Sequence, residues 1–360
     1  MIYDIAIVGL GPAGATLARL LGSGLKVAAI DRKRLDGTGG FKKPCGGLLA
    51  PSAQKALTES GLNLPSSLLV DPQIFSVKTM DLVSGLTRYY QRYYLNIDRH
   101  QFDNWLISLI PPTVDIFARS ECRAIVNRGD YYDLTFSRDK KLWTISARQI
   151  VGADGSASQV RRLFLRTPIR RYLCIQEVFP GHPREPYGCF FDERLTDCYG
   201  WINNKNGQLI LGAALPLEKQ PCDRPRSRFE AVKEHLTPFG YRFFGSPLST
   251  EACLVSRPSS LKQIVLGMDR IFLIGEAAGL VSPSSLEGIS YALESARHLS
   301  DVLNRNLTSP LRAYKKAVAP LRAKIRLRLL KAPFMYQPFL RRMVMRSGLT
   351  AMRRTEALSD

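Results

Sequence analysis

Three glycines near the start of the chain have the spacing of a turn that binds phosphate groups. Gly9, Gly11 and Gly14 follow the apolar run 5–8 and precede a helix-like segment, 15–21. The first glycine allows a tight turn, the second lets the backbone approach a pyrophosphate, and the third lets helix and strand pack closely. The free N–H groups at the start of the helix would bind the phosphates. The motif therefore predicts a dinucleotide site.

An acidic residue stands where such a site needs one. Asp31 ends the second strand-like run, 26–30, 17 residues after the last glycine of the motif. Its carboxylate would accept hydrogen bonds from the ribose hydroxyls of an adenosine group. Pro12, Ala13 and Arg32 complete the predicted site. A glycine-rich turn in an ordinary βαβ unit is the alternative interpretation.

Two later segments distinguish a flavin nucleotide from a nicotinamide nucleotide. Asp154 and Gly155 follow one strand-like run, and Gly275 and Glu276 follow another. An N-terminal GxGxxG, a central DG pair and a later GD-type motif occur in this order in the flavoprotein monooxygenase superfamily, which has the p-hydroxybenzoate hydroxylase-like fold. The chain resembles this superfamily over about its first 300 residues. The resemblance implies that FAD is the cofactor.

The resemblance also implies roles for single residues. Arg99 begins a segment that matches the R-x-x-F-D helix start of the superfamily and would lie near the FAD phosphates. Asp154 and Gly155 would shape the flavin side of the pocket, although an acid in an Asp-Gly turn is the alternative for Asp154. Gly275 precedes Glu276, which stands where the superfamily usually has aspartate and would bind the ribityl hydroxyls.

A narrower resemblance is carried by the loop after the second strand-like run. Residues 41–49 resemble the flavin-adjacent K-x-x-C-G-x-G-like loop of the geranylgeranyl reductase branch. Residues 283–293 resemble the helix start that faces the isoalloxazine in that branch, with Gly288 and Ile289 at its beginning. Within the branch, the chain is similar to the CbrA-like group, which shares the PCGGLLAP loop, the run 71–79, GEAAG and SSLEGISYAL.

The same resemblance supplies candidates for the substrate pocket. Cys45, Gly46 and Gly47 would lie beside the flavin, because glycines let the backbone approach a flat ring. Cys45 would touch the substrate or tune the redox chemistry, or it would be a small buried residue that fills the loop. Tyr199 and Trp201 match the Y-x-W strand of the branch and should face the same side of that strand. They would line the substrate pocket or pack in a core.

These motifs predict an α/β protein with a Rossmann-like FAD-binding domain, an inserted antiparallel or mixed β-sheet substrate domain and a C-terminal helical segment. The composition, 45% hydrophobic and 23% charged over 360 residues, excludes disordered, collagen-like and coiled-coil chains. The predicted boundaries are 1–72, 99–162 and 262–305 for the FAD-binding domain, 73–98 and 163–261 for the substrate domain, and 306–360 for the basic C-terminal segment.

The C-terminal segment carries most of the positive charge. Residues 302–355 contain 14 Lys or Arg and no Asp or Glu, which leaves +6 of the net charge of +20 for the rest of the chain. Pro320, Pro333 and Pro338 are expected to divide the segment into short helices. Apolar residues between the basic ones favour contact with an anionic membrane surface. A solvated basic helix is the alternative, and no nucleic-acid-binding motif is present.

Cysteine usage bears on the compartment. The seven cysteines are widely spaced and form no CxxC, which favours reduced thiols in a cytoplasmic protein over disulfides or a metal site. No apolar run reaches the ~18 residues of a membrane-spanning helix. The first residues lack the basic start of a signal peptide. We therefore expect a cytoplasmic protein, with peripheral attachment to the inner face of the membrane.

Together these features predict an FAD-dependent oxidoreductase of the geranylgeranyl reductase type. It would reduce carbon–carbon double bonds of an isoprenoid or another lipid by hydride transfer from reduced flavin. NAD(P)H would bind transiently, because the sequence has no second GxGxxG, or a ferredoxin-like protein would be the electron donor. A flavin monooxygenase acting on an aromatic or lipid substrate and a flavin-bearing membrane-surface binding protein are the alternatives.

Overall fold

The structure is a computed structural model that describes residues 1–35, 43–164, 168–181, 187–217, 224–305 and 307–352. The strands within these residues are β1 (Ile2–Val8), β2 (Val27–Ile30), β3 (Leu48–Leu49), β4 (Ile74–Asp81), β5 (Thr87–Asn96), β6 (Val114–Phe117), β7 (Ser120–Asn127), β8 (Tyr132–Arg138), β9 (Lys141–Gly152), β10 (Arg170–Pro180), β11 (Tyr187–Phe191), β12 (Gly200–Lys205), β13 (Gln208–Pro216), β14 (Ser249–Arg257), β15 (Gly267–Met268) and β16 (Ile271–Leu273). The α-helices are α1 (Pro12–Leu20), α2 (Pro51–Glu59), α3 (Arg99–Ser108), α4 (Gln159–Phe164), α5 (Pro225–Leu236), α6 (Ile289–Leu303), α7 (Pro310–Ala317), α8 (Ala319–Tyr336) and α9 (Pro338–Ser347).

The first sheet has the strand order β15-β16-β9-β1-β2-β6, with β8 paired to β9 and β7 paired to β8. Strand β1 is parallel to both of its neighbours, β2 and β9. Its residues 5–8 are buried on both faces, as expected for a continuous apolar run in the centre of a parallel sheet. Residues of α1 and α6 pack against these strands in one hydrophobic core. This arrangement brings the ends of β1, β2 and β9 to the glycine turn.

The second sheet has the strand order β14-β10-β13-β12-β11-β4-β5-β3, and all of its pairs except β11–β4 are antiparallel. One face packs against α5. A second set of side chains, which we call the aromatic cluster, packs between this sheet, the segment before α6 and the end of α8. Its members are Tyr172, Cys174, Tyr187, Cys198, Tyr199, Trp201, Ala214, Cys253, Val255, Leu286 and Tyr336.

The two sheets and their helices confirm the predicted fold class. The predicted domain boundaries stay a prediction. Strand β3 is a segment of the predicted FAD-binding domain that pairs with the other sheet. Leu48 and Leu49 pair with β5 of the second sheet, although they lie in the segment 1–72 that we assigned to the FAD-binding domain. Two adjacent leucines have no alternation that would assign a strand to one sheet or the other, so this pairing has no sequence signal.

The C-terminal helices are attached to both sheets. Tyr314, Leu321 and Ile325 are buried in the core of the first sheet. In α9, the buried Arg341 donates from Nε to Asp81 Oδ2 at 2.8 Å, at the end of β4. Its Nη2 also donates to Glu193 Oε2 at 2.8 Å. A buried arginine with two carboxylate partners fixes the position of α9 on the second sheet.

The proline prediction is partly wrong. Pro320 and Pro338 lie in the first turns of α8 and α9, where a missing N–H costs nothing. Pro333, in contrast, lies inside α8. A proline within a helix costs about 3 kcal/mol. Here Ala332 is buried, and Tyr336 belongs to the aromatic cluster, so packing on both sides of the proline holds the helix together. Residues 306 and 353–360 of this segment lie outside the described residues.

Candidate active site

In the glycine turn, a side chain would have room at Gly11 but not at Gly9 or Gly14. Gly9 has φ +99°, and a Cβ there would lie 2.6 Å from the carbonyl oxygen of Ala153. A Cβ at Gly14 would overlap the carbonyl oxygen of Gly9. A Cβ at Gly11, in contrast, would have no atom of the described residues within 4 Å. Gly9 and Gly14 are therefore needed for packing, whereas the space in front of Gly11 is free for a ligand.

The start of α1 faces the same space. Pro12 occupies the first turn, and the N-cap, Gly11, has no side chain that could bind the N–H groups of that turn. These N–H groups, those of Ala13 and Gly14 among them, carry the positive end of the helix dipole. A pyrophosphate fits these donors because it is an anion with several acceptor oxygens.

Asp31 is held beside the turn by backbone hydrogen bonds. Its Oδ2 accepts from the Leu10 N–H at 2.5 Å, and its Oδ1 accepts from the Lys33 N–H at 2.7 Å. Each carboxylate oxygen has a second lone pair, so the group can still accept from ribose hydroxyls. Arg32 follows with an exposed side chain. The open position, the helix start and this carboxylate together fit the phosphate and adenosine parts of a dinucleotide.

The three motifs that are distant in sequence converge in space. A Cβ at Gly9 would lie 2.8 Å from the Cα of Asp154, and one at Gly275 would lie 3.0 Å from the Cβ of Ala13. A Cβ at Gly155 would lie 3.8 Å from Glu276 Oε2. Each motif therefore touches another through a glycine. The structure brings all of them to one edge of the first sheet.

Asp154 acts on the local backbone. Its Oδ1 accepts from the Ser158 hydroxyl at 2.5 Å, and its Oδ2 accepts from the Gln159 N–H at 2.6 Å at the start of α4. Burial raises the pKa of Asp154, although these hydrogen bonds lower it. The carboxylate thus caps α4 and fixes the backbone that packs on Gly9. This is the alternative that the sequence left open, and a part in shaping the pocket stays a prediction.

Glu276 forms a bridge between the later motif and the loop 43–47. Its Oε2 pairs with Lys43 Nζ at 3.1 Å, and its Oε1 accepts from the Ser256 N–H at 2.8 Å. The Glu276 carboxylate raises the pKa of Lys43, and this effect is larger than the lowering by burial. The sequence predictions gave Lys43 no role, because a lysine in a loop has no spacing signal. Phe41 and Lys42, the first residues of the predicted loop, lie outside the described residues.

Arg99 lies against the thiol of Cys45. Its Nε donates to Asp103 Oδ1 at 2.9 Å, one helical turn away in α3. The Cys45 thiol lies close enough to the guanidinium to affect its pKa. Although burial lowers the pKa of Arg99, the Asp103 and Cys45 side chains raise it above its ordinary value. Arg99 therefore positions the loop that contains Cys45, and its predicted contact with FAD phosphates stays a prediction.

Strand β12 holds this loop from the other side. The buried Asn203 donates from Nδ2 to the Gly46 carbonyl at 2.8 Å. Lys205 Nζ donates to the Ile97 carbonyl at 2.5 Å and to the Gly47 carbonyl at 3.4 Å. Sequence reasoning missed both residues. A signal was available, since two asparagines and a lysine continue an otherwise apolar strand, and buried polar groups need partners.

Tyr199, directly before β12, and Trp201, in β12, lie on the same side of the sheet, as the sequence predicted. Their ring centroids are 6.1 Å apart. The Tyr199 hydroxyl donates to the Ser285 carbonyl at 2.7 Å, and burial raises the pKa of Tyr199. Trp201 lies beside the loop, because a Cβ at Gly46 would be 3.8 Å from its ring. The aromatic cluster therefore begins directly next to Cys45 and Gly46.

The start of α6 differs from a free anion site. Gly288 is its N-cap, and Ile289 is buried against α2 and α3. The Glu287 carboxylate accepts from the N–H and from the hydroxyl of Ser290, each at 2.7 Å. Burial raises the pKa of Glu287. A carboxylate thus already occupies the helix start that the resemblance places opposite the isoalloxazine.

Comparison with known proteins gives the class of fold first. A geranylgeranyl bacteriochlorophyll reductase-like protein from Thermoplasma acidophilum has a similar structure, with a TM-score of 0.75 and 16% identity over 95% of this chain and 98% of that chain. The flavin-dependent brominase Bmp2 has a TM-score of 0.69 and 16% identity over 96% of this chain and 93% of that chain. The fold is therefore that of the flavoprotein oxidoreductases.

Sequence similarity is more specific. Protein CbrA from Escherichia coli O6:H1 is 46% identical over 349 residues, which cover 96% of this chain and 94% of the relative. The chain belongs to the CbrA family, and the predicted resemblance to that group is confirmed. The chain matches no protein-family model.

Lys205 gives the site a testable pH dependence. Burial lowers the pKa of Lys205 from 10.5 to about 8. Between these values the unfolded chain binds more protons at this residue than the folded chain does, so stability rises with pH. We therefore expect the free energy of unfolding of the wild type, minus that of Lys205→Met, to increase by up to about 1.4 kcal/mol per pH unit between pH 8 and 10.

Urea unfolding at several pH values measures this difference. Lys55→Met in α2 is the matched control, because the Lys55 side chain is 77% exposed, and its difference from wild type should not change over this range. If the difference in free energy of unfolding between wild type and Lys205→Met also does not change with pH, the burial of the ammonium group is contradicted.

Proposed function

We propose that the chain is an FAD-dependent oxidoreductase that reduces carbon–carbon double bonds of an isoprenoid or another lipid. The observation that carries the proposal is the open position at Gly11. It lies at the start of α1, beside Asp31, while Gly9 and Gly14 on either side are closed by packing. Such a turn is built to bind a pyrophosphate, and the fold of the chain is that of flavoproteins.

The loop 43–47 and the aromatic cluster would border the flavin ring and the substrate. Reduced FAD, when bound, supplies a hydride for the double bond. The Lys43–Glu276 pair would fix the loop against the first sheet, and Asn203 would fix it against the second. Trp201 would exclude water from the reacting carbon atoms. Five of the eleven residues of the aromatic cluster are Tyr or Trp, and such surroundings favour an apolar substrate over a charged one.

Saturation of a double bond also needs a proton. We assign its donation to the hydroxyl of Tyr199. A tyrosine hydroxyl is protonated at neutral pH, and burial raises the pKa of this one further. It lies in the aromatic cluster, 2.7 Å from the Ser285 carbonyl that it now binds. Cys45, whose sulfur accepts from the Gly47 N–H at 3.4 Å and lies near Arg99, is not assigned this role. The electrons would come from transiently bound NAD(P)H or from a ferredoxin-like protein.

The glycine turn supplies a direct test of cofactor binding. Gly11→Val should fold, because the backbone of Gly11 is extended (φ −76°, ψ −171°) and a Cβ there meets no described atom within 4 Å. Its side chain would fill the pyrophosphate space, so we expect bound FAD to fall about tenfold or more. Flavin absorbance of the purified protein measures the loss. Gly24→Val, at an equally open position, should keep its flavin, and a Gly11→Val protein with full flavin content would refute the assignment.

The reaction is tested without oxygen. Dithionite-reduced protein and geranylgeranyl diphosphate should give a product heavier by two hydrogens for each saturated bond. Tyr199→Phe should retain FAD but slow this reaction by about a hundredfold or more, as expected for loss of a general acid. Tyr93→Phe, at an exposed position, is the control. A hydroxylated product that requires oxygen would favour the monooxygenase alternative, and lipid binding that is independent of flavin would favour the binding protein.

We further propose that α8 and α9 contact an anionic membrane surface. Helix α8 is apolar on two opposite sides. Leu321 and Ile325 are buried, whereas Leu327, Leu330 and Phe334, spaced as one stripe, are 60%, 65% and 48% exposed. Exposed leucine and phenylalanine at this spacing match the apolar face of an interfacial helix.

Basic residues flank this exposed stripe. Arg326 and Lys331 are exposed on α8, and Arg346 is exposed on α9 together with Phe339 and Met343. The charge of this segment is complementary to anionic lipid headgroups. None of the described helices is long and apolar enough to cross a membrane, so the proposed contact is peripheral. It would allow an apolar substrate to enter from the bilayer.

Vesicle binding tests the membrane proposal. The double variant Leu330→Glu, Phe334→Glu should bind phosphatidylglycerol-containing vesicles about tenfold or more weakly than wild type, since it removes apolar contact and adds negative charge. The control Leu142→Glu, Trp143→Glu changes two equally exposed apolar residues on β9 and should bind like wild type. Equal binding of the two double variants, or loss of self-association in place of vesicle binding, would contradict the membrane contact.

A further inference from the structure

Two cysteines of the aromatic cluster face each other across neighbouring strands. In the antiparallel register of β10 and β14, Cys174 lies directly opposite Cys253. Directly opposed residues of an antiparallel pair have their side chains on the same face, with Cα atoms ~4.5–5.5 Å apart. A disulfide needs a Cα–Cα separation of about 4.4–6.8 Å. The backbone therefore already has the spacing of a cross-strand disulfide.

The two thiols also interact with each other and with the loop 43–47. The two thiols lie close enough for each to shift the pKa of the other. The Cys253 thiol lies 3.6 Å from the Pro44 carbonyl oxygen, next to Lys43 and therefore next to the Lys43–Glu276 pair. The two cysteines thus lie at the border between the aromatic cluster and the loop that we place beside the flavin.

The environment of the two sulfur atoms is unequal. Cys174 is buried, whereas Cys253, on the edge strand, is partly exposed. The neighbouring Cys174 thiol and the charge of Lys43 lower the pKa of Cys253, although burial opposes them. The neighbouring Cys253 thiol and burial raise the pKa of Cys174. A more accessible thiol with a lowered pKa beside a buried thiol matches the arrangement of a nucleophilic and a resolving cysteine.

We propose that Cys174 and Cys253 form a redox-active pair that closes reversibly to a disulfide and stores two electrons beside the flavin site. The Cys253 thiolate attacks a low-molecular-weight disulfide such as oxidised glutathione, which forms a mixed disulfide and releases one thiolate. The Cys174 thiol then loses its proton and displaces the second thiolate. One S–S bond of the oxidant is broken, one is formed in the protein, and the two electrons lost by the cysteines reduce the oxidant to two thiols.

The other thiols of the chain offer controls. The Cys189 thiol lies 3.4 Å from the Thr79 hydroxyl, and Cys122 is buried in the core of the first sheet. Cys198 belongs to the aromatic cluster but lies in the segment before β12, and Cys222 lies outside the described residues. Cys189→Ser therefore removes a partly buried thiol of the second sheet without changing the proposed pair.

Peptide mapping by mass spectrometry tests disulfide closure. Wild-type protein treated with oxidised glutathione should lose two alkylatable thiols and give one linked peptide pair that contains Cys174 and Cys253. Cys174→Ser should stop at a glutathione adduct on Cys253, Cys253→Ser should form neither product at these residues, and Cys189→Ser should behave like wild type. A linkage through Cys45 or Cys198, or an adduct on wild-type Cys253 that never resolves, would overturn the proposal.

Storage of electrons beside the flavin rests on the proposed function and has its own measurement. In an anaerobic dithionite titration, oxidised wild-type protein should accept four electrons for each flavin, two for the disulfide and two for the ring. The double variant Cys174→Ser, Cys253→Ser should accept two. Uptake of two electrons by both proteins would overturn the storage role. Purified protein without flavin would contradict the proposed function, and the reaction with oxidised glutathione would then be judged from the peptide mapping alone.

Discussion

The close approach of α1 to the first sheet is the constraint on which the site depends. Gly14 packs on the carbonyl of Gly9, and Gly9 packs on the backbone of Ala153, so that no side chain fits at either glycine. This contact points the start of α1 at the ends of β1 and β2, where Asp31 is fixed by two backbone N–H groups. The close backbone packing at Gly9 and Gly14 thus leaves the space in front of Gly11 open.

A second constraint joins the two sheets. The loop 43–47 is held by the Lys43–Glu276 pair from the first sheet and by Asn203 and Lys205 from the second. Buried polar groups are costly unless they are paired. These contacts therefore favour one arrangement of the loop, and they fix Cys45 and Gly46 between the nucleotide turn and the aromatic cluster. The proposed cofactor and substrate sites share this loop as their common wall.

The sequence predicted the parts of the site that depend on local spacing. The glycine turn and the alternation of Tyr199 and Trp201 follow from spacings of a few residues, and the acid after β2 follows from its distance of 17 residues from the turn. The contacts of Asn203 and Lys205 join positions 157 and 108 residues apart, and no local pattern encodes them. The pairing of Cys174 with Cys253 depends on strand register, and Pro333 stays helical because of tertiary packing on both sides. Long-range packing determined what local patterns could not.

Titration of flavin-stripped, folded protein with nucleotides of different length shows whether the three motifs together bind a dinucleotide. We expect that FAD binds with one molecule per chain, that ADP competes with it through the turn and Asp31, and that FMN, which lacks the adenosine half, binds far more weakly. Folded protein that binds FMN as tightly as FAD, or that binds no FAD at all, would contradict the claim that three distant segments enclose a dinucleotide.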